Sequence, residues 1–364
     1  MEPVQWPAPK HRPHGGRLFG DGRFAYPDAR ARFVATAFRP PAEPADAARP
    51  FILNTGRVRD QWHTMTRTGK VARLAAHTPE PLLDIHPRDA QRAKLADGDF
   101  ARIESRHGAS IMRVRTTPDQ RPGEVYAAMH WSDAFSSTGP ADRLVGAAVD
   151  PVSGQPELKA TAVMLLPQPM AWRGLLLRRT PHGDPACSYW SRIAVAAGCA
   201  YALAGIEPLA DAGEPPRSDW VLAMLAAPAD ADLAVYADPA AGVFRFAWFV
   251  DGAIEACLFI ARTEASIPDR ETVAAIFAQS PLPAPRALVL AGAPLDGVVS
   301  AGPTICACFA VGRGAIVESV MQHGHLTTAE IGRALKAGTN CGSCLPELEK
   351  ILRDCVTALA EAAE

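Results

Sequence analysis

The sequence lacks long apolar runs and a strong excess of charge of either sign. No run of about 18 apolar residues occurs, which excludes a transmembrane helix of ordinary length. Lysine and arginine total 37 against 39 aspartate and glutamate residues, so no overall basic field exists to hold nucleic acid. Residues 1–12 lack the apolar core of a secretory signal. We therefore expect a cytoplasmic protein whose partners include neither a membrane nor a nucleic acid.

Cysteine is scarce except in two tight pairs near the C-terminus. Four of the eight cysteines lie in Cys306-Ala307-Cys308 and Cys341-Gly342-Ser343-Cys344. In a reducing cytoplasm, such pairs more often bind metal or do redox work than form structural disulfides. The remaining four are isolated in the sequence, and we interpret them as small core residues: they are Cys187, Cys199, Cys257 and Cys355.

The length of 364 residues favours two or three domains. Residues 1–49, rich in Pro, Arg and Gly, are interpreted as an irregular lead-in. Residues 50–166 carry short runs of β-branched and apolar residues separated by turns, which predict a small β-barrel with one short helix from Pro87 to Leu95. Residues 167–187 are Pro- and Arg-rich and are interpreted as a linker.

A small α+β domain is predicted over residues 188–285. The patterns within it predict helices at 191–206, 218–226 and 270–279, and strands at 231–238, 243–250 and 253–261, the last two joined by a turn at Asp251-Gly252. A small all-α domain is predicted over 300–360, with helices at 314–322, 328–336 and 346–359. In it, Thr327 and Glu330 have capping-box spacing, and Gly338 is expected to end the second helix.

The two cysteine pairs allow three interpretations. Four thiolates can close a tetrahedral zinc site or hold the two irons of a [2Fe–2S] cluster. A C-x-C first pair and a helical spacer are atypical of zinc ribbons, in which both pairs are usually C-x₂₋₄-C and the spacer is β. The third interpretation is a set of free or partly oxidised thiols. Cysteines at a helix N-terminus gain thiolate character from the helix dipole, which suits Cys341 and Cys344.

The run ICACFAVGRGAIVESVMQHGHLTTAEIGRALKAGTNCGSCLPELEKIL resembles the [2Fe–2S] domain of bacterioferritin-associated ferredoxin, which is also appended to nitrite reductases and to some assimilatory nitrate reductases. The resemblance spans about residues 303–352. It implies a [2Fe–2S] cluster, with Cys306, Cys308, Cys341 and Cys344 as the metal ligands.

A polar loop follows the first predicted strand and runs from Thr55 to Thr64. Alone, such a loop is weak evidence for a nucleotide site, and the alternative is a solvated basic loop. The runs TGRVRDQWHTMTRTGKVARL, PLLDIHPRDAQRAKLADGDFARIESRHG, PGEVYAAMHW and VDPVSGQPELKATAV, however, resemble the C-terminal dinucleotide-binding barrel of the bis-molybdopterin oxidoreductases, and the nitrate reductases most of all. The lead-in runs EPVQWPAP and GGRLFGDGRFAYPDARARFVA resemble the segment before that barrel in the assimilatory enzymes.

This second resemblance implies a double-psi β-barrel that contacts molybdopterin guanine dinucleotide. Lys159 would contact the cofactor from the far end of the barrel, and His130 and Trp131 would end a strand that approaches it. The family usually has Asn where this chain has Asp142, and a carboxylate would repel a pyrophosphate. The loop positions expected to bind the cofactor are Thr55, Gly56, Arg57, Trp62, His63 and Thr64.

Together the two resemblances imply the C-terminal portion of a molybdenum-dependent assimilatory nitrate reductase. Neither an N-terminal cysteine quartet for a [4Fe–4S] cluster nor the family's molybdenum-ligand cysteine motif occurs. We therefore expect no catalytic residues and no turnover from these 364 residues alone. The partners expected are an electron-donor protein or reductase subunit and a catalytic part encoded upstream. The alternatives are a stand-alone [2Fe–2S] electron-transfer or binding module, and an inactive fragment.

Overall fold

The computed structural model describes residues 4–35, 37–181, 183–211, 214–282, 285–293 and 302–361. The chain divides into two compact units, Met1–Pro40 and Pro41–Glu364. In the described residues of the first unit, turns predominate, with a bridge between Gln5 and Gly15 and a stacked pair of rings, Phe19 and Phe24. All helices and strands described below belong to the second unit.

The first part of the second unit is a closed barrel of six strands, as the sequence predicts. The strands are β1 (Phe51–Gly56), β2 (Leu82–Ile85), β3 (Phe100–Glu104), β4 (Ala109–Thr116), β5 (Glu124–Ala128) and β6 (Thr161–Pro167). Their order around the barrel is β1-β5-β2-β4-β3-β6, with parallel pairing of β1 with β5 and of β2 with β4. Two short helices, α1 (Ala72–Ala75) and α2 (Pro87–Arg92), lie between the strands.

The barrel interior is filled by the alternate apolar side chains of its strands. Leu53, Leu83, Ile103, Val125 and Val163 are fully buried in one cluster. Alternation places every second side chain of a strand on one face, so these short runs bury one row each and leave the other row for solvent or for neighbouring domains. The interior is therefore a packed core with no space for a ligand inside the barrel.

The second part is a six-stranded antiparallel sheet, flanked by helices. Its strands are β7 (Trp172–Arg178), β8 (Tyr189–Val195), β9 (Gly198–Gly205), β10 (Asp232–Asp238), β11 (Val243–Val250) and β12 (Ala253–Ala261). Their order is β10-β11-β12-β7-β9-β8. The helices are α3 (Ser218–Leu225), α4 (Arg270–Phe277) and α5 (Arg286–Ala291).

Two sequence predictions in this region were wrong, whereas the predicted helices at 218–226 and 270–279, which correspond to α3 and α4, and the three predicted strands were confirmed. The predicted helix at 191–206 is instead most of the β8–β9 hairpin, because burial of Tyr189, Tyr201 and Leu203 outweighs the helix propensity of an alanine-rich run. The segment predicted as a linker contains β7, which lies between β12 and β9. The strands at 231–238, 243–250 and 253–261 are confirmed.

The sheet packs directly against the barrel through a charged and aromatic contact. Arg113 on β4 lies 2.9 Å from a carboxylate oxygen of Glu80 and 3.0 Å from one of Glu264, which follows β12. The buried Tyr189 hydroxyl donates to Glu80 at 2.8 Å, and its ring meets Phe100 edge to face at 4.8 Å. Tyr189 of the sheet bonds to Glu80 of the barrel part, and Arg113 of the barrel pairs with Glu264 of the sheet part, so the polar groups buried between the two parts are paired across their interface.

The third part contains the cysteine pairs. It consists of β13 (Thr304–Cys306), β14 (Val311–Gly312), α6 (Arg313–His323), α7 (Thr328–Leu335) and α8 (Leu345–Glu361). The prediction of an all-α domain was wrong, because β13 and β14 pair antiparallel across the first cysteine pair.

The helix ends of this third part test two further predictions. The capping box of α7 is confirmed, with Thr327 and Glu330 each accepting from the other's backbone. The prediction that Gly338 ends this helix was wrong. The left-handed residue that caps it is Lys336, two positions earlier.

The helices of the described residues are short. Helix α8 has 17 residues and the others have 11 or fewer. Within the described ranges, none is both long enough and apolar enough to cross a membrane.

Candidate cofactor-binding sites

The four paired cysteines meet at the junction of the β13–β14 hairpin with the N-terminus of α8. Cys306 ends β13, and Cys308 lies in the turn before β14, where Ala310 adopts a positive φ of 53°. Cys344 immediately precedes α8, and its carbonyl accepts from the Leu348 amide at 3.0 Å. Gly342, with φ of 74°, turns the chain between the second pair. Two local turns thus bring together two cysteine pairs that are separated by 32 residues in the sequence.

The thiols form two cross-pairs, each with one member from each motif. The sulfur atoms of Cys308 and Cys341 lie 3.4 Å apart, and the thiol of Cys306 lies close enough to that of Cys344 to raise its pKa. Cys306 and Cys344 are buried, whereas Cys341 is exposed. Among the described residues, no three His, Cys, Asp or Glu side chains converge as one metal ion requires.

Hydrogen bonds and burial give the thiols different acidities. Hydrogen bonds from Ser343 lower the pKa of Cys341, and the two side chains lie 3.0 Å apart. Burial raises the pKa of Cys344 to about 11, and its contact with Cys306 adds to the rise. The amide of Asn340 donates to the sulfur of Cys308 at 3.3 Å. Donors aimed at sulfur stabilise the negative charge of a thiolate or of an iron–sulfur cluster.

The isolated cysteines lie elsewhere. Cys199, Cys257 and Cys355 are buried and Cys187 is partly buried, in agreement with the prediction that they are small packing residues. Burial raises the pKa of Cys257 and of Cys187 to about 12 in each case.

The polar loop after β1 lies at one end of the barrel because β1 and β5 are parallel. Gly56 pairs with Ala128, so both strands end at the same edge, and residues 57–64 emerge beside residues 129–131. A Cβ at Gly56 would lie 2.9 Å from a ring carbon and from the hydroxyl oxygen of Tyr126, so a larger residue would have to displace that side chain. The Tyr126 hydroxyl donates to the carbonyl of Arg57 at 2.8 Å.

His130 holds this loop from beneath. It is fully buried, its Nε2 accepts from the Val58 amide at 3.0 Å, and its Nδ1 lies 2.6 Å from the His63 carbonyl. Because Nε2 is an acceptor, the proton is on Nδ1, which donates. Burial lowers the pKa of His130 below its ordinary value, which keeps the ring neutral. His130 was expected to contact the cofactor, but both of its ring nitrogens are bonded to the loop.

The outer face of the loop carries exposed polar and aromatic side chains. The guanidinium of Arg57 lies 4.6 Å from the ring centroid of Trp62, which is 55% exposed. Trp62 in turn meets the ring of His63 edge to face at 4.5 Å. His63 and Met65 both have positive φ, at 43° and 59°, a backbone strain that is found preferentially at functional sites. Thr64 is exposed beside them.

Lys159 and Thr55 meet at the inner end of the loop. The Lys159 ammonium donates to the carbonyl of Thr55, and the buried Thr55 hydroxyl donates to the carbonyl of Leu158 at 2.7 Å. The structure therefore brings together two predicted site residues that are 104 positions apart. Asp142, in the turn Ala141–Leu144, is also near: desolvation raises its pKa, and the charge of Lys159 opposes the rise.

The loop also contacts the cysteine domain, through a residue that sequence reasoning missed. Arg59 donates through Nη1 to Glu347 at 2.5 Å and through Nη2 to the carbonyl of Ile305 at 2.7 Å. Asp60 pairs with Arg59 at 3.0 Å. His77 lies 3.3 Å from Asp60 and 3.0 Å from Glu347, so the four side chains form a ring. The sequence contains no signal for this cluster of four ionisable side chains, apart from the oppositely charged neighbours Arg59 and Asp60 in an otherwise basic loop.

Two family descriptions match the parts of the chain that carry these features. Residues 51–162 match the molydopterin dinucleotide binding domain, and residues 304–354 match the BFD-like [2Fe-2S] binding domain. The chain thus combines a domain for each of the two cofactors expected from the sequence, the pterin dinucleotide and the [2Fe–2S] cluster.

Comparison with individual proteins specifies the class further. The nitrate reductase of Klebsiella oxytoca is 37% identical over 361 residues, which is 97% of this chain and 39% of that protein. The assimilatory nitrate reductase catalytic subunit of Bacillus subtilis is 34% identical over 167 residues, 45% of this chain and 23% of that protein. The chain is therefore a homologue of the nitrate reductases, and it spans well under half the length of these relatives.

A third relative shows that this similarity extends beyond nitrate reductases. The F420-dependent formate dehydrogenase subunit alpha of Methanocaldococcus jannaschii is 30% identical over 165 residues, 45% of this chain and 24% of that protein. A match of that extent does not distinguish nitrate from formate as the substrate. The similarity to the Klebsiella oxytoca protein, which spans both cofactor domains, is the more informative one.

Proposed function

We propose that this chain forms the pterin-contacting and electron-entry portion of a molybdenum-dependent assimilatory nitrate reductase. The observation that carries the proposal is the direct contact of the barrel loop with the cysteine domain through Arg59, which joins the two cofactor sites in one structure. The proposed reaction converts nitrate, two electrons and two protons into nitrite and water. The partners we propose are an electron-donor protein or reductase subunit and a catalytic part outside this chain.

At the cysteine site, we propose that Cys306, Cys308, Cys341 and Cys344 ligate a [2Fe–2S] cluster. A [2Fe–2S] cluster takes four thiolate ligands, and these two pairs of neighbouring thiols would supply them. Asn340 and Ser343 donate toward the sulfurs, and the N-terminus of α8 adds its dipole. The exposed Cys341 and the partly buried Cys308 would leave one edge of the cluster within reach of an electron donor.

At the barrel, we propose that Arg57, Trp62, His63 and Thr64 contact the guanine dinucleotide. Arg57 is exposed and held over Trp62, so its guanidinium is oriented to bind a phosphate. Gly56 allows the close backbone approach, and His130 fixes the shape of the loop rather than touching the ligand. Within the described residues, Nε1 of the buried Trp131 has no hydrogen-bond partner, which fits an acceptor supplied by a bound group.

The inner end of this site has balanced charge. Lys159 carries a positive charge into the base of the loop, and we propose that it offsets the carboxylate of Asp142 where the family usually has Asn.

The bound groups would supply oxygen-atom transfer at molybdenum and one-electron transfer at the cluster. The chain's own task is to hold, orient and separate them.

We further propose that the barrel has double-psi topology. Its six strands include two parallel pairs in an otherwise antiparallel closed sheet. We propose four segments: a lead-in over 1–49, the barrel domain over 50–166, one sheet domain that begins near Trp172, and the cysteine domain over 300–360. The sheet domain takes the place of the linker and the smaller α+β domain expected from the sequence. We propose a cytoplasmic location, because closely spaced cysteines that bind metal rather than form disulfides are typical of a reducing compartment.

Metal and pterin analysis of the purified chain tests the proposal. We expect two irons and two acid-labile sulfides per chain after anaerobic preparation, with the visible absorption of a [2Fe–2S] cluster. Stoichiometric zinc without iron would reject the cluster. Guanine dinucleotide should bind to the wild type and bind more weakly when Arg57 is replaced by Gln, with Arg102→Gln on β3 as the control. Equal binding by these proteins would reject the pterin site.

A further inference from the structure

We propose that Arg59 and Arg73, which belong to the barrel part of the chain, are positioning residues that hold the Cys306–Cys308 segment and raise the reduction potential of its cluster. The proposal rests on the assignment of the [2Fe–2S] cluster above. The Arg59 guanidinium donates to the carbonyl of Ile305 at 2.7 Å, and that of Arg73 donates to the carbonyl of Cys308 at 3.1 Å. The two cations therefore contact the segment on both sides of Cys306 and Ala307.

The geometry at Arg59 requires a guanidinium. Its fork reaches Glu347, Ile305 and Asp60 at the same time, with distances of 2.5, 2.7 and 3.0 Å. A planar group with five donors can bind three acceptors in fixed directions, whereas an ammonium acts as a single point charge. The Arg59 side chain is 16% exposed, so solvent screens its charge only partly.

The charges around the cluster determine the direction of the effect. One-electron reduction adds a negative charge to a site that already carries four thiolates, so a nearby cation favours the reduced form and raises the potential. Asp60 and Glu347 oppose Arg59, and His77 bridges these two carboxylates. Removal of the Arg59 charge leaves these carboxylates uncompensated, which lowers the potential. Arg73 is exposed, so its effect should be smaller.

This arrangement also explains why the loop carries arginines at two alternate positions. Arg57 lies over Trp62 on the outer face, and Arg59 lies in the interface with the cysteine domain. A single short loop therefore contacts the proposed pterin site with one arginine and the cluster segment with the next. The proposed effect of Arg59 on the potential therefore depends on the contact between this loop and the cysteine domain.

The test is an EPR-monitored redox titration of the full chain with dithionite as reductant. Arg59→Gln should shift the midpoint potential downward, and Arg73→Gln should shift it downward by less. Arg59→Lys keeps the charge but cannot bind the three acceptors at once, so its potential should lie between those of Arg59→Gln and the wild type. Arg102→Gln is the matched control for loss of one arginine charge, because Arg102 pairs with Glu104 on the exposed side of β3, and it should leave the potential unchanged.

The outcomes separate this inference from the proposed function. Wild-type chain without iron and sulfide would remove the cluster assignment and this inference together. A wild-type cluster with an unchanged or higher potential in Arg59→Gln, at full iron content, would overturn the inference alone. If Arg59→Gln does not retain iron, the exposed Arg73→Gln decides: a downward shift supports the inference, and no shift overturns it.

Discussion

Replacement of His130 is the most direct test of how the barrel holds its cofactor loop. The ring is fully buried and bonded to the loop at both nitrogens, to the Val58 amide at 3.0 Å and to the His63 carbonyl at 2.6 Å. His130→Ala removes both bonds at once. The loop should then lose the support that keeps His63 and Met65 in their positive-φ conformations. His130→Phe keeps most of the buried volume but neither bond.

The size of the expected destabilisation follows from the two backbone groups that lose their hydrogen-bond partner, the Val58 amide and the His63 carbonyl. Each buried group left without a partner costs about 1–3 kcal/mol, and the exposure of this loop places both near the lower limit. With the packing lost in His130→Ala, the closed loop should be destabilised by about 2–4 kcal/mol. Each 1.4 kcal/mol changes the equilibrium constant of loop opening about tenfold, so hydrogen exchange of the Val58 amide should accelerate by about 30-fold to about 700-fold.

Hydrogen exchange followed by mass spectrometry of the full chain measures this directly. Residues 57–65 should lose protection in both variants, while the six-stranded sheet keeps its protection. His107→Ala is the control, because His107 forms a surface pair with Glu43 at 3.0 Å. Unchanged protection of the loop in His130→Ala would refute the argument, since the two bonds would then contribute nothing to holding it.

The same histidine gives the barrel a pH dependence. Burial lowers its pKa below the ordinary value of 6.5, so the unfolded chain binds the proton more readily than the folded one. The contribution of neutral His130 to the stability of the fold is present above about pH 6.5 and is lost as the pH falls through the lowered pKa of the folded state. Acid should therefore loosen the loop in the wild type, with no corresponding step in His130→Phe.

Three other predictions concern the cysteine domain. In metal-free chain, iodoacetamide at mildly alkaline pH should modify Cys341 first and Cys344 later, because the pKa of Cys341 is lowered and that of Cys344 is raised to about 11. The buried Cys257 should not react. Mass spectrometry of the peptides measures the order of modification. Cys341→Ser should abolish the visible absorption of the reconstituted chain, whereas Cys355→Ser, at a buried site outside the two pairs, should retain it. Thr327→Ala removes the capping box of α7 and should destabilise this domain by about 1 kcal/mol, measured as the shift in its urea unfolding curve.

The sequence alone determined the features that depend on short-range pattern. The spacing of Cys306, Cys308, Cys341 and Cys344 restricted the chemistry to a few metal sites, because ligands two or three residues apart must share one turn. The strands of the barrel and β10 to β12 were predicted from alternation and turn residues, including Asp251-Gly252. The capping box of α7 was likewise a local signal.

Tertiary structure decided everything that depends on which surfaces meet. The alanine-rich run of β8 and β9 favours a helix by propensity, but its pairing with β7 buries Tyr201 and Leu203 and forms strands instead. His130 was expected to contact the cofactor. The structure shows that both of its ring nitrogens are bonded to the loop, an arrangement that depends on the parallel pairing of β1 with β5. Arg57 and Arg59 look equivalent in sequence. Their different roles follow from the cysteine domain, 246 residues away from Arg59 at Ile305, which supplies the acceptors on one side of the loop only.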